Sequence, residues 1–303
     1  MSGGPDSLAL LLLGASAMPG QVAVMSIDHG LRAEAAGEVA LVESICDVLD
    51  IPFTSASVRL ASGNVQAKAR EARYAALGDW ATQRGLGAVA TAHHLDDAAE
   101  TLLMRLARGS GLPGLAGVRE WTHVLGFEAL PLIRPLLGFR KAELEQVVET
   151  CGLTPVQDPS NGNPAFDRVR VRQHLAEHDW LDPEALAVSA QHLAEGWRAI
   201  EWYAQTDWEE MVALEETPEG LPQYRYFCNV PRAVQIETVC RIVSQLGGRV
   251  SRGEAGTAAD RLWHGKNASL GGVLARCDIE KFAKVGVEMR VWRFAPEPPR
   301  RTH

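Results

Sequence analysis

The sequence predicts an α/β protein: a parallel, Rossmann-like sheet domain, then a helical connector, then a small α+β module. Three observations carry that expectation. The first 160 residues alternate short apolar runs with helical periods. A glycine turn, Ser2-Gly3-Gly4-Pro5-Asp6-Ser7, leads straight into the apolar helical run Leu8 to Leu13. Charge also changes sign along the chain: residues 1–224 hold 16 Lys and Arg against 31 Asp and Glu, whereas residues 225–295 hold 12 against 6, within a net charge of −8.

The elements follow in order. Val22 to Ile27, Phe53 to Val58 and Ala88 to Ala92 read as buried strands. Helices are expected from about Glu34 to Leu49, and from after the N-cap Asn64 to Gly85. Strand–helix alternation with apolar strands implies a parallel sheet covered on both faces, with ligands at the carboxyl ends of its strands. Asp28-His29-Gly30 and His93-His94-Leu95-Asp96-Asp97 stand at those ends. Gly109 to Gly117 is a glycine-rich loop, Phe139 to Cys151 a helix, and Asp158-Pro159-Ser160-Asn161 a loop before the arginine-rich segment Arg168 to Arg172. Ala185 to Glu216 reads as one long helical pattern, Pro231 to Leu246 as a helix, and Leu270 to Phe294 as β-like. The expected organisation is a sheet domain over 1–183, a connector over 184–220, a C-terminal module over 221–295 and a disordered tail over 296–303.

Composition excludes several classes. No apolar run reaches the roughly 18 residues of a membrane helix. Ala15-Ser16-Ala17 resembles a cleavage site, but the N-terminus carries Asp6 and lacks the basic region of a signal peptide. Five scattered cysteines without a C-x-x-C pair argue against disulfides, zinc and iron–sulfur clusters, and fit a reducing cytoplasm. The basic module on an acidic body suits a polyanionic partner.

Two glycines let the backbone approach phosphates, and the following helix adds the positive end of its dipole. Ser2 and Ser7 can donate hydroxyl hydrogen bonds. Asp6 would repel phosphate unless a cation intervenes, which implies Mg2+. No Gly-Lys-Ser/Thr follows, so this is not a Walker A loop.

The hexapeptide resembles the S-G-G-x-D-S signature of the PP-loop ATP pyrophosphatase superfamily. Further blocks resemble one of its families, the bacterial tRNA(Ile)-lysidine synthetases. They are Asp28-His29-Gly30-Leu31-Arg32, Asn64 with Ala69 to Tyr74, Thr91 to Asp97 with Glu100-Thr101, and Arg108 to Gly111. Arg134-Pro135-Leu136, Asp158 to Asn161, and Arg168 with Arg172 complete the series. The resemblance implies a cytoplasmic enzyme using ATP and Mg2+, with L-lysine and a tRNA(Ile) bearing a CAU anticodon as partners. ATP would adenylate the C2 oxygen of the wobble cytidine, and the lysine amine would then displace AMP to give lysidine. The family has a strand directly before the loop, so with the chain starting at Met1 the expectation is either that the sheet lacks this strand or that the start is truncated. Val169 stands where many relatives have Asn, and the C-terminal part is shorter than in three-domain members. Monomer and homodimer both remain open.

Residue roles follow. Ser2, Gly3, Gly4, Pro5, Asp6 and Ser7 are expected to hold ATP phosphates, Asp6 with Mg2+, while backbone at Asp28 and His29 reads adenine. His93 and Asp97, read as i, i+4 on one helix, face the cleft, away from a buried stripe of Leu95, Ala99, Leu102, Leu103 and Leu106. Asp97 would hold Mg2+ or the substrate ammonium, or act as a base, with His93 orienting it or contacting phosphate. His94 reads as structural. Arg73 is a candidate for ATP phosphates or the modified nucleotide. Arg70, Arg108, Asp158, Asn161, Arg168 and Arg172 are candidates for substrate or tRNA. For Arg168 and Arg172 the alternative is salt bridges to Glu177 or Asp167. In the basic module, Arg225, Arg232, Arg241, Arg249, Arg252, Arg261, Lys266, Arg276, Lys281 and Lys284 could meet phosphate, and Trp263 and Trp292 could stack on bases or fill the core. The competing readings are a PP-loop tRNA thiolase, which needs paired cysteines, an amidotransferase-linked synthetase, which needs a glutaminase domain, and a non-catalytic nucleotide-binding relative.

Overall fold

A computed structural model describes residues 1–28, 35–57, 65–156, 163, 165–282 and 287–297, the side chains of 28, 35, 36, 65–70, 282 and 287 excepted. The chain divides into two compact units, Met1–Ala194 and Glu195–His303.

In the first unit the order is α1 (Pro5–Ala17), β1 (Val24–Asp28), α2 (Ala35–Val48), β2 (Phe53–Ser57), α3 (Val65–Gln83), β3 (Val89–Ala90) and α4 (Leu95–Leu106). Then come α5 (Leu112–Leu115), β4 (Trp121–Val124), β5 (Phe127–Ile133), α6 (Lys141–Thr150), α7 (Asp167–Glu177) and α8 (Pro183–Met211), within which the division falls. Strand β1 pairs with β2 and β3 with β5, both in parallel, as strand–helix alternation requires. A β4–β5 hairpin, absent from the sequence reading, adds an antiparallel strand and a bulge at His123/Val124. No ladder joins β1 to β3 among the described residues.

The two faces of β1 lead into two cores. Val24 packs with Leu8 and Leu11 of α1, Val42 and Ile45 of α2, and Leu144 and Val148 of α6. Its neighbour Met25 packs with Tyr74 and Leu77 of α3, Val89 and Leu132. Successive strand residues point to opposite faces, so helices are needed on both. Close packing on the α3 side depends on Gly78, where a Cβ would stand 2.2 Å from the Phe127 ring.

The second unit holds β6 (Val212–Glu216), β7 (Pro222–Phe227), α9 (Arg232–Gln245), α10 (Arg252–Trp263), β8 (Ala268–Leu270), β9 (Val273–Phe282) and β10 (Val287–Pro296). Its antiparallel sheet has the order β6-β7-β10-β9-β8. Tyr226, Trp292 and Phe294 pack there against Val239, Ile242 and Leu262 of the helices. The long helical pattern expected through Glu216 stops at Met211. Residues 212–216 instead form a strand, because β7 offers them an antiparallel partner. Trp292 is core, leaving Trp263 as the exposed tryptophan of the pair. No described helix is long and apolar enough to cross a membrane.

Candidate active site

The glycine turn is held by its backbone. Gly3 adopts φ +71°, a left-handed conformation that favours glycine, and a Cβ there would stand tightly against Val156 Cγ2 at 3.1 Å. Its carbonyl oxygen accepts from Val156 N at 2.9 Å. Gly4 caps α1, Pro5 occupies the first turn, and Leu8 N closes the first helical bond onto Gly4 O. The hydroxyl of Ser7 donates to Gly4 O at 3.0 Å and lies 3.4 Å from that of Ser2. Two hydroxyls and the positive end of a 13-residue helix therefore meet at one spot.

Asp6 sits in that first turn. Its Oδ2 lies 3.8 Å from His94 Nε2, while its Oδ1 is buried and accepts no hydrogen bond. Burial pushes the carboxyl above its ordinary value, aided by Asp97 and Glu145 and opposed by His94 and Lys141. A buried carboxylate oxygen without a donor suits a divalent cation, so the residues fit Mg2+.

The second wall is the start of α4, and here the structure corrects the sequence reading. The helix begins at Leu95, with His94 as its N-cap. His93 therefore precedes the helix and forms no i, i+4 pair with Asp97; its Nδ1 lies 3.0 Å from Thr91 Oγ1. His94, expected to be structural, is 1% exposed and stands among three carboxylates. Asp97 N donates to His94 Nδ1 at 3.4 Å, and His94 N donates to Asp97 Oδ2 at 3.2 Å. An Nδ1 that accepts leaves the neutral ring's proton on Nε2, the nitrogen nearest Asp6 and 3.6 Å from Asp97 Oδ2. The expected buried stripe is also revised. Ala98, Ala99, Glu100 and Leu102 are buried, and Leu106 is exposed.

Adjacent acids divide the work. Asp96 accepts from Lys141 N at 2.7 Å and Arg140 Nε at 3.1 Å, tying α4 to the start of α6. Burial raises its pKa, but these donors outweigh burial and leave the carboxyl below its ordinary range. Asp97 instead faces His94 and, at 3.9 Å, Arg168.

Sequence reasoning missed Glu100 as a site residue. It is 1% exposed and accepts from Arg172 at 2.7 and 3.3 Å, with Arg168 Nε 3.3 Å away. Burial raises its pKa, and the two arginines offset only part of this. An acid on the buried stripe of an amphipathic helix was the available signal, since it requires a partner. Arg168 and Arg172, one turn apart on α7, thus pair with Glu100, not with Glu177 or Asp167. Arg168 also donates to Thr101 Oγ1 at 3.2 Å.

Other candidates stand apart. Arg108 is exposed and joined to Asp167, which also binds Arg170. Arg73 is exposed on α3. The side chains of Asp28 and Arg70, and residues His29, Asp158 and Asn161, lie outside the described residues. In the second unit Arg225, Arg232, Arg252 and Lys281 are in ion pairs. Arg241 bonds Gln205, and Arg261 bonds the Asn267 carbonyl. Lys284 lies outside the described residues.

A glycine turn feeding a helix with a part-buried aspartate in its first turn, on a parallel sheet, places the chain in the PP-loop class. The family model for the PP-loop domain matches residues 1–179. The fold is similar to that of the U34-tRNA thiolase NcsA from Methanococcus maripaludis, with a TM-score of 0.53 over 64% of this chain and 70% of that one. At 18% identity this likeness concerns fold alone. Over its whole length the chain is 43% identical to a tRNA(Ile)-lysidine synthase from Novosphingobium aromaticivorans, 89% of which is covered. It is 38% identical to one from Zymomonas mobilis, over 99% of this chain and 88% of that one. The chain belongs to the tRNA(Ile)-lysidine synthase family, and is an ATP-using enzyme of the PP-loop type.

Proposed function

We propose that this enzyme modifies tRNA by joining lysine to C2 of the wobble cytidine in the CAU anticodon of tRNA(Ile). The observation that carries the reading is the approach of two helix starts, α1 with Asp6 and α4 with His94 and Asp97, in a chain that aligns over its whole length with 89% of a lysidine synthase. The cytidine C2 oxygen attacks the α-phosphorus of ATP, and pyrophosphate leaves. The lysine amine then attacks C2, loses a proton, and AMP departs with the former C2 oxygen.

Amides of the Ser2–Ser7 turn and the first turn of α1 bind the outer phosphates, placing the α-phosphorus toward the base. Mg2+ held by Asp6 would neutralise charge on the departing pyrophosphate. Asp97 binds the lysine ammonium or accepts its proton, and His94 fixes the Asp97 carboxylate. Glu100 holds Arg168 and Arg172 beside that carboxylate. Backbone at Asp28 and His29 meets adenine, while Arg70, Arg73, Arg108, Asp158 and Asn161 meet ATP or tRNA. The basic segment over 225–295 binds tRNA phosphates, in the cytoplasm. Thiolase chemistry finds no support in the buried thiols, since burial raises Cys46 to about 11 and Cys228 to about 12.

The test is AMP release with each substrate omitted in turn. Release should require both lysine and CAU-anticodon tRNA. Equal release without lysine, or ATP binding without turnover, would overturn the reading.

A further inference from the structure

The second unit contains a cavity of about 550 Å3 at the C-terminal end of α10, lined by Trp263, His264, Gly265, Cys277, Ile279 and Arg290. Its origin is geometric. In the β9–β10 register Ala275 faces Phe294, Cys277 faces Trp292 and Ile279 faces Arg290, so these six side chains share one side of the sheet. Helices cover that side over Ala275, Trp292 and Phe294, which are fully buried. Helix α10 ends at Trp263. Past its end Ile279 is 66% exposed and Trp263 is 42% exposed.

Arg290 lays its guanidinium over the Trp263 ring, 4.5 Å from the centroid, and forms no ion pair among the described residues. The other side of the same strands differs. There Arg225 and Arg293 are tied to Glu215 and Glu280, and Arg293 also to Asp278. Positive charge without a carboxylate partner is thus left at the cavity, and Lys266, directly after Gly265, likewise lacks an ion pair among the described residues. His264 Nδ1 lies 2.6 Å from the Asp260 carbonyl oxygen, a contact only an N–H can make, so Nε2 keeps its lone pair as an acceptor.

We infer that this cavity holds one unpaired nucleobase of the RNA substrate, away from the reacting cytidine. The base stacks on the Trp263–Arg290 pair, its backbone phosphate meets the cation, and Ile279 supplies an apolar floor. Nε2 of His264 accepts from an exocyclic amine or a 2′-hydroxyl. An acidic peptide would satisfy the cation but leave the indole unused. The inference rests on the reading of this enzyme as one that acts on tRNA.

The test uses the full chain and CAU-anticodon tRNA at fixed salt. Trp263→Ala and Arg290→Gln should each weaken tRNA binding roughly tenfold, with Trp263→Phe close to the parent and ATP affinity unchanged in all three. Ultraviolet crosslinking of the parent protein to tRNA should leave a nucleotide adduct on the peptide holding Trp263 and His264. Melting by circular dichroism identifies a Trp263→Ala protein that fails to fold, and Arg290→Gln with the crosslink then decides. Parent-like binding by Arg290→Gln and folded Trp263→Ala, or no adduct on that peptide, would overturn the subsite alone if lysine- and tRNA-dependent AMP release persists. A parent protein that binds no tRNA would overturn the proposed function as well. Polyglutamate that competes with tRNA on the parent but not on Arg290→Gln, while Trp263→Ala behaves as the parent, would reassign the cavity to an acidic chain.

Discussion

Asp6 in the first unit and Asp207 in the second are two aspartates with the same defect and different surroundings. Each has a buried Oδ1 without a hydrogen-bond donor, and burial raises the pKa of each. The other oxygen of Asp207 accepts from Tyr226 Oη at 2.8 Å and Thr238 Oγ1 at 3.1 Å, uncharged groups of an apolar core. That of Asp6 faces a histidine at a second helix start, with Lys141 and Arg172 close enough to act on the field. The unpaired oxygen of Asp6 thus stands where a helix dipole and neighbouring cations meet. That of Asp207, in a closed core, is part of a structural fastener.

Substitution should separate the two roles. Asp6→Ala is expected to lower AMP release by about a hundredfold or more without lowering the melting temperature. Retained turnover would erase the contrast. Asp207→Ala should do the reverse: the hydroxyls of Tyr226 and Thr238 lose their acceptor, costing about 1–3 kcal/mol in denaturant unfolding, with activity per folded molecule unchanged. Glu100→Gln tests an acid that belongs to both types. Loss of its charge leaves Arg172 without its carboxylate and Arg168 with Asp97 alone, at about 1–2 kcal/mol because both guanidinium groups are partly exposed. Activity should fall with it, and a stability loss with full activity would move Glu100 to the structural class.

The smallest effect is in pH. Asp6 and Asp207 both titrate above their ordinary value in the fold, so folding favours their protonated forms. The stability they contribute is complete below about pH 4 and is lost as pH rises through their folded pKa. Asp96 has the opposite sign, contributing above its ordinary value and losing that contribution as pH falls through its lowered pKa. Asp207→Asn should flatten the loss on the rising side, measured as unfolding free energy against pH; an unchanged profile would show that Asp207 does not titrate there.

Much of the first unit was legible in the sequence. The strands β1 and β2 and the helices α2 and α3 lie within a few residues of expectation, α3 because cap and glycine signals bound it. Helix α1 was read only over Leu8 to Leu13 and runs from Pro5 to Ala17. Of the histidine readings, only the expected i, i+4 pairing of His93 with Asp97 fails, because the helix begins at Leu95. His93 and His94 are adjacent, and one residue's difference in the helix start decides which becomes the buried cap. Residues 212–216 suit helix or strand equally well, and pairing with β7 decides between them.

Sequence alone determined the glycine turn, the helix that follows it and the alternation that puts acids at strand ends, since backbone freedom and hydrophobic period act within a few residues. Tertiary structure decided that His94, not His93, meets Asp6, that Asp96 braces α6, and that Glu100 gathers Arg168 and Arg172. Those choices depend on burial and on partners more than 40 residues away along the chain, and no local pattern encodes a buried charge's distant counterion.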